Sequence, residues 1–301
     1  MSSPSPAPAG HLVLGTYLRH LRLARGLTAG RVSADLAREQ GMSLSVPVLS
    51  RIETGQRPVS EAEATTLLRT YRCSRTESFS RGRRQLGETT YATGGPVQLP
   101  VVDSVAGWQD RLAAVEHRAN RARFYSQFLI PAFLRTDAYA ALVEDRLPEP
   151  QIGRPGLLGA GTVPVVILDA SLFSRPWGGA GLFAAQVQHL LNAMGTGRLD
   201  LRILPVDRNV HPPAHQLAEY HLQRGLRLHA AERATGVAYY AGSDNDARLS
   251  AYLDRAADQA LDRADSRRHL ERARADAWQL AAQQDRATAC LAPAPVAPGR
   301  V

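Results

Sequence analysis

The sequence contains no lysine, only two cysteines and no long apolar run, and these absences exclude several classes of protein. Cys73 and Cys290 are too far apart and too few for a disulfide framework or a zinc finger. No apolar run approaches the length of a membrane span, and the Ser/Pro/Ala-rich residues 1–10 lack the features of a secretion signal. We therefore expect a cytoplasmic protein that does not contact the membrane.

The charge of the chain is unevenly distributed along the sequence. The formal net charge is +8, and residues 1–90 contain 13 arginines against 7 acidic residues, which leaves only a small excess for the remainder. Because all 36 basic side chains are arginine, the type that binds phosphate and guanine through two parallel hydrogen bonds, a polyanionic partner is favoured. A GC-rich genome also produces lysine-free sequences, and we attribute the larger share of the arginine content to that bias.

The spacing of apolar and turn residues divides the chain into two domains. The first, residues 11–87, contains short amphipathic helical patterns separated by Gly26, Gly41 and Gly55. The second, residues 108–286, combines helical and strand patterns. We expect disordered ends at 1–10 and 287–301, because they offer little apolar surface to bury, and a polar, turn-rich linker over 88–107.

The patterns of the second domain predict a mixed architecture. Its first part, residues 108–145, is predicted to be helical. Two strands flank a helix over 180–194, three further extended segments follow, and two terminal helices broken near Asp265 and Ser266 end the domain. The strands are predicted at 163–168 and 199–204, the extended segments at 216–223, 226–231 and 236–241, and the terminal helices within 246–284. The expected fold class is multi-domain: an all-α helix-turn-helix domain followed by an α+β (mixed α/β) domain with C-terminal helices.

Four segments of the first domain carry a resemblance to a known family. They are Leu18-Arg19-His20-Leu21-Arg22, Gly26-Leu27-Thr28, Leu49-Ser50-Arg51-Ile52-Glu53-Thr54-Gly55 and Leu67-Leu68-Arg69-Thr70-Tyr71. Their order resembles the phage-repressor-like (xenobiotic-response-element, Cro/C1-type) helix-turn-helix family. The distance from Thr28 to Glu53 exceeds the usual one by several residues, which lengthens the second helix or the turn after it.

The resemblance implies that the third helix of this domain enters the major groove of double-stranded DNA. It also implies a structural ion pair between Arg22 and Glu53 that ties the third helix to the first. The resemblance assigns base-facing positions to Ser45, Val46, Pro47 and Arg51, and phosphate-facing positions to Ser43, Ser50, Arg57 and Arg31.

A second set of motif residues lies in the second domain: Glu116, Tyr125, Ile130-Pro131-Ala132-Phe133-Leu134-Arg135-Thr136, Leu168-Asp169-Ala170-Ser171-Leu172, Gln186 and Ser266. These residues resemble the DUF5753 family, a domain of unknown function that follows such helix-turn-helices in actinobacterial regulators. The resemblance covers about 108–284 and implies a transcriptional regulator. We expect a homodimer whose second domain senses a small molecule or a small partner protein.

Two alternatives remain open at this point. The second domain could be a docking surface through which a small antagonist protein controls DNA binding. It could instead be a hydrolase or nucleotide-modifying unit that uses His211, His215 and Asp169. We favour a protein that is not an enzyme, with no catalytic residue and no cofactor, because the resemblance implies regulation more than chemistry. We also expect no metal site, because two prolines between His211 and His215 prevent their presentation on a helix.

Overall fold

The computed structural model describes residues 8–73, 76–91, 100–146, 163–208, 210, 216–233 and 235–291. His211 and His215 lie outside the described residues. Within these ranges, no helix is both long enough and apolar enough to cross a lipid bilayer.

In the described part of the first domain there are five helices, and local signals define several of their ends. The Thr28 side chain accepts a hydrogen bond from the Arg31 N–H at the start of the second helix, and Ser60 with Glu63 forms a capping box at the start of the fourth. Gly41 ends the second helix in the left-handed conformation, at φ +60°. The helices are α1 (Ala9–Ala24), α2 (Ala29–Gln40), α3 (Val46–Glu53), α4 (Glu61–Thr70) and α5 (Thr76–Tyr91).

Helix α1 is the centre of this domain because two of its glycines allow a close approach of other backbones. A Cβ atom added at Gly15 would lie 2.1 Å from the carbonyl oxygen of Ile52 on α3. One added at Gly10 would lie 2.3 Å from the carbonyl oxygen of Leu86 on α5. Both distances are far below van der Waals contact, so only glycine permits this packing.

The second domain is built on a seven-stranded sheet in the described part of the chain, with the strand order β1-β7-β6-β5-β2-β3-β4. Strands β2, β3 and β4 run parallel, and the other neighbouring pairs are antiparallel. The strands are β1 (Val101–Asp103), β2 (Arg121–Ser126), β3 (Val165–Asp169), β4 (Asp200–Leu204), β5 (Gln216–His221), β6 (Arg227–Arg233) and β7 (Gly236–Tyr240). The helices are α6 (Trp108–Arg118), α7 (Asp137–Arg146), α8 (Ala180–Gly195), α9 (Ser243–Gln259) and α10 (Arg263–Leu291).

Both faces of the sheet are buried, because successive side chains of its strands point to opposite sides. Phe124 and Val166 belong to the large core that includes α6 and α8, whereas Tyr125 and Ile167 belong to a smaller cluster with Tyr252 and other residues of α9. Helix α10 packs on α8. The expected fold class is therefore confirmed: a helical domain is followed by a mixed α/β domain with C-terminal helices.

The outer strand β4 is tied to the connection between α9 and α10. The N–H of Ile203 donates to the Ser266 hydroxyl at 3.0 Å, and the N–H of Leu261 donates to the Ile203 carbonyl oxygen at 2.8 Å. Both hydrogen-bonding groups of Ile203 are thus satisfied within the chain.

Two regular elements differ from the sequence-based expectation. Residues 121–126 were expected to be helical but form β2, which joins the antiparallel and parallel halves of the sheet. Residues 88–107 were expected to be a linker, but they contain the end of α5 and strand β1, whose Val101 pairs with Tyr239 of β7. Each strand is too short to carry a clear period of its own beside the neighbouring helix, since β1 has 3 residues and β2 has 6.

Three predicted boundaries also differ from the structure. Helix α1 begins at Ala9, inside the end expected to be disordered, because Ala9 and Gly10 are buried against the core. Helix α10 continues to Leu291, into the predicted tail. The break between the last two helices lies at 260–262 and not at Asp265, because α10 already begins at Arg263.

The two domains pack directly against each other. The rings of His20 on α1 and His117 on α6 meet edge to face, with their centroids 5.2 Å apart. Buried Arg111 donates to Asp103 of β1 at 2.7 Å, and its guanidinium lies directly over Gly82 of α5. Residues of both domains form one continuous apolar core. The position of the second domain relative to α3 is therefore defined by packed side chains.

Candidate nucleic-acid interface

Helix α3 forms because its sequence contains both a start signal and an apolar side. Ser45 is the N-cap residue, with an extended backbone, and Pro47 lies in the first turn, where no intrahelical N–H is required. Leu49 and Ile52 are buried, whereas Val46, Pro47 and Arg51 are exposed. The exposed side of α3 thus contains three of the four residues expected to face bases, and Ser45 is exposed at its start.

The long segment between Thr28 and Glu53 is occupied by a 12-residue α2 and a turn over 41–45. Within this turn Leu44 is buried, which fixes its path, and Ser43 is exposed. Ser43 therefore lies in the turn that leads into α3, where a phosphate contact was expected.

A buried ion pair holds the other end of α3. Arg22 donates to both carboxylate oxygens of Glu53, from Nε at 2.6 Å and from Nη2 at 2.8 Å, and its Nη1 donates to the Leu27 carbonyl oxygen at 2.7 Å. The hydrogen bond to Glu53 raises the pKa of Arg22 above its usual value against the effect of burial. These contacts join α3 to α1 and to the turn before α2, so the exposed side of α3 has a fixed orientation.

The arginines expected near phosphates differ in their partners. Arg31 forms an ion pair with Asp35 at 2.9 Å, and Arg57 forms one with Glu63 at 2.7 Å. Arg51, by contrast, has no ion pair within the described part of the chain. Among the described residues, no carboxylate therefore forms an ion pair with Arg51, the basic residue of α3.

One residue beside α3 was not found by sequence reasoning. Arg224 lies in the turn between β5 and β6, and its Nη2 donates to the hydroxyl of Ser50 at 3.3 Å. The two residues are 174 positions apart, and no periodicity or spacing relates them. An available signal was Gly225 in the short segment between two predicted extended segments, which is typical of a hairpin loop.

The motif residues Gln186 and Asp169 of the second domain form hydrogen bonds within that domain. Gln186, fully buried on α8, donates to the Leu134 carbonyl oxygen at 2.7 Å and accepts from the Thr136 N–H at 2.7 Å. Asp169 accepts hydrogen bonds from the Tyr125 hydroxyl at 3.1 Å and from the Ser171 N–H at 2.9 Å. Asp169, which the enzyme hypothesis required, therefore caps a short 3-10 helix in the structure.

Another buried carboxylate, that of Glu219 on β5, is the centre of a polar cluster. It accepts from Arg123 at 2.7 Å, from Ser250 at 2.6 Å and from His229 at 3.1 Å, and the ring of His221 also contacts it. Burial alone would raise the pKa of Glu219, but the hydrogen bonds from His229, Arg123, Ser250 and His221 hold it far below its usual range.

The histidine of this cluster lies between two carboxylates. His229 is fully buried; its Nε2 faces Glu219, and its Nδ1 lies 3.4 Å from Asp246 on α9. Burial opposes the charged imidazolium, but the interactions with Asp246 and Glu219 outweigh it and raise the pKa of His229. The cluster therefore joins β2, β5, β6 and α9. Among the described residues, no group of three or more His, Cys, Asp or Glu side chains is arranged to hold a metal ion.

A cavity of about 620 Å³ lies along α9, on the sheet face opposite α8. Its volume falls within the ~300–1,000 Å³ typical of small-molecule sites. Two arginines, two tyrosines and an asparagine contribute its polar and aromatic lining: Arg248, Arg255, Tyr240, Tyr252 and Asn245.

Two family models match the chain. Residues 13–78, from α1 into α5, match a helix-turn-helix domain, and residues 109–272 match the domain of unknown function DUF5753. The second match covers more than half of the 301 residues. The chain belongs to the DUF5753 family. No curated protein and no solved structure matches it.

The matched ranges agree with the two packed units of the structure. The helix-turn-helix match contains α3 with its exposed side and indicates DNA binding. The DUF5753 match contains Gln186 with its hydrogen bonds, the Glu219 cluster, the cavity along α9 and Arg224. A helix-turn-helix domain is thus joined to a DUF5753 domain that reaches α3 itself.

Proposed function

We propose that the protein is a sequence-specific transcriptional regulator that inserts α3 into the major groove of double-stranded DNA. The observation that carries the proposal is the exposed side of α3, on which Arg51 has no ion pair within the described residues, opposite a side fixed by the Arg22–Glu53 pair. The helix-turn-helix match supports the same assignment. DNA binding would place the protein at the nucleoid.

The exposed residues suggest how a sequence is read. Arg51 suits a bidentate contact with guanine, and Val46 and Pro47 suit apolar contacts such as a thymine methyl group. Ser45 supplies a hydroxyl that can contact a base edge, and Ser43 and Ser50 supply hydroxyl donors for phosphates of the DNA backbone. Arg31 and Arg57 reach phosphate only by exchanging or sharing the carboxylate partners that they have in the free protein.

We further propose that two copies bind together as a homodimer. One α3 contacts only a few base pairs, so a single copy has limited affinity and specificity. Two copies reading half-sites about one helical turn apart, roughly 34–36 Å, would supply both.

The DUF5753 domain is proposed to act by binding and not by catalysis. Its cavity along α9 is large enough for a small molecule, and Arg248 and Arg255 favour an anionic one. A small partner protein is the second candidate for the regulatory signal.

The experiment that tests DNA binding is selection from a randomised duplex library, followed by affinity measurements over a range of salt concentrations. We expect enrichment of a two-part site and an affinity that falls steeply with salt, because phosphate contacts release counterions. Footprinting over the protein's own gene neighbourhood then locates the natural site. Failure to enrich any duplex, or an affinity independent of salt, would contradict the proposal.

A further inference from the structure

The β5–β6 turn of the DUF5753 domain lies beside α3. Leu222 and Leu226 close the turn, with the Leu222 N–H donating to the Leu226 carbonyl oxygen at 2.7 Å. The three residues between them, Gln223, Arg224 and Gly225, are exposed. From this tip, Arg224 reaches the hydroxyl of Ser50, on the edge of the surface that we propose to face DNA.

The backbone at the tip gives no reason for an arginine. Arg224 has φ +63° and Gly225 has φ +72°, so both occupy the left-handed region. Asparagine or glycine adopts this conformation with the least strain, and an asparagine-glycine pair is the preferred sequence for such a tip. Arg224 thus adopts a strained backbone conformation at an exposed position. Backbone strain of this kind recurs at positions where the side chain has a function.

The acidic residue of α3, Glu53, is buried and already paired with Arg22. No acidic residue occurs in 41–52 or in 222–231. Arg224 has no ion pair within the described residues. Its contact with Ser50 leaves most of its N–H donors unused, and because the Ser50 oxygen accepts that bond, the hydroxyl hydrogen remains free to be donated. The free donors of Arg224 and Ser50 thus lie together beside α3.

We propose that Arg224 binds a DNA backbone phosphate together with Ser50, so that the DUF5753 domain contributes directly to the DNA interface. This inference rests on the proposed function. A phosphate contact carries no sequence information by itself, but it sets the position of α3 along the duplex and adds affinity. It also gives the second domain a direct way to influence DNA binding, because β5 leads from the Glu219 cluster to the tip.

The test compares the wild-type chain with Arg224→Asn on the duplex enriched by the wild-type chain and on a scrambled duplex. Asparagine tolerates the left-handed backbone, so we expect an equal or higher melting temperature. Affinity should fall several-fold for both duplexes. The slope of log affinity against log salt should become shallower by about 0.9, the value of one phosphate contact. Arg224→Lys should retain most of the slope.

Arg233→Asn is the matched control, because it removes the same charge from an exposed position at the opposite end of β6. It should leave the salt slope unchanged. Should Arg224→Asn fail to fold, Arg224→Gly supplies the same comparison, since glycine adopts this backbone freely.

The outcomes separate this inference from the proposed function. If the wild-type chain enriches no duplex, both are overturned. If it does so but Arg224→Asn has the wild-type slope and affinity, only the inference is overturned, and the Arg224–Ser50 bond is then an internal contact. An increase in affinity would likewise overturn it, because Arg224 would then restrain α3 and not bind DNA.

Discussion

Two buried carboxylates fix the two regions that matter for the proposed function. Glu53 orients α3 through Arg22, and Glu219 joins β2, β5, β6 and α9 through Arg123, His229 and Ser250. A carboxylate taken out of water needs a full set of donors, and loss of one partner costs more than the pair contributed. Substitution of a partner of Glu53 or of Glu219 therefore tests whether each carboxylate is buried and paired as described.

Arg22→Met is expected to lower the free energy of unfolding by about 3–5 kcal/mol, because it leaves the Glu53 carboxylate buried and unpaired. The double variant Arg22→Met/Glu53→Leu removes both charges and should recover most of this loss. Urea denaturation followed by circular dichroism measures both. Equal stability of the single and double variants would contradict the assignment of a buried pair.

His229→Asn tests the polar cluster through its pH dependence. The pKa of His229 is raised in the folded state, so its stabilising contribution is complete below the unfolded value of about 6.5 and is lost as the pH rises through the folded pKa. The difference in melting temperature between wild type and His229→Asn should therefore shrink as the pH rises above about 6.5.

His269→Asn supplies a comparison of opposite sign. Burial and then Arg272 lower the pKa of His269, so its contribution is lost as the pH falls below about 6.5. The wild-type advantage over this variant should grow with pH. Parallel profiles for the two variants would show that at least one of the two directions is wrong.

Arg51→Ala tests the base contact that we propose for α3. Loss of a bidentate contact with guanine should cost about 1–3 kcal/mol, roughly 5- to 150-fold in affinity, and relax the preference at one position of the site. Arg267→Ala on α10 removes an equal charge from an exposed position elsewhere and should change neither the affinity nor the base preference. Competition with single-base variants of the enriched duplex measures the preference, and an unchanged preference would exclude Arg51 as the reader.

At the scale of elements, helix ends and most of the sheet were predictable, because their signals are local. The sequence predicted helix starts at Thr28, Ser60 and Pro47, and in the structure a helix begins at or next to each of them. Strand β2 was missed because its six residues follow α6 closely, although Arg121 and Arg123 alternate with apolar residues. The β5–β6 tip beside α3 was not predictable, since only the packing of the two domains brings it there.

Gly15→Ala tests the crossing of α1 and α3. The added methyl group would meet the Ile52 carbonyl oxygen at 2.1 Å, and backbone atoms on both sides prevent a local adjustment. We expect a loss of about 1–3 kcal/mol or more in stability, together with weaker DNA binding because α3 is displaced. Thermal melting and duplex affinity measure the two effects.

Gly181→Ala on α8 is the control, because no atom lies within 4 Å of the added methyl group. Its stability should be equal to the wild type or higher by up to about 1 kcal/mol, since alanine favours the helix. If Gly15→Ala behaved like this control, the close crossing of α1 and α3 would be wrong.

At the scale of the whole molecule, the continuous core predicts that the two domains unfold together. Helix α1 packs on both α3 and α6, and Arg111 joins β1 to α5. Calorimetry should show one transition, coincident with the change in fluorescence of the buried Trp108. Two separated transitions would show that the interface between the domains is weaker than its burial implies.

Ser266 and Leu261 have a consequence for how copies of the protein associate. Because they occupy both hydrogen-bonding groups of Ile203, the outer side of β4 cannot accept a strand from another molecule at that residue without first breaking those bonds. Extension of the sheet from one molecule to the next, a route to insoluble aggregates, is therefore disfavoured at this point of the edge.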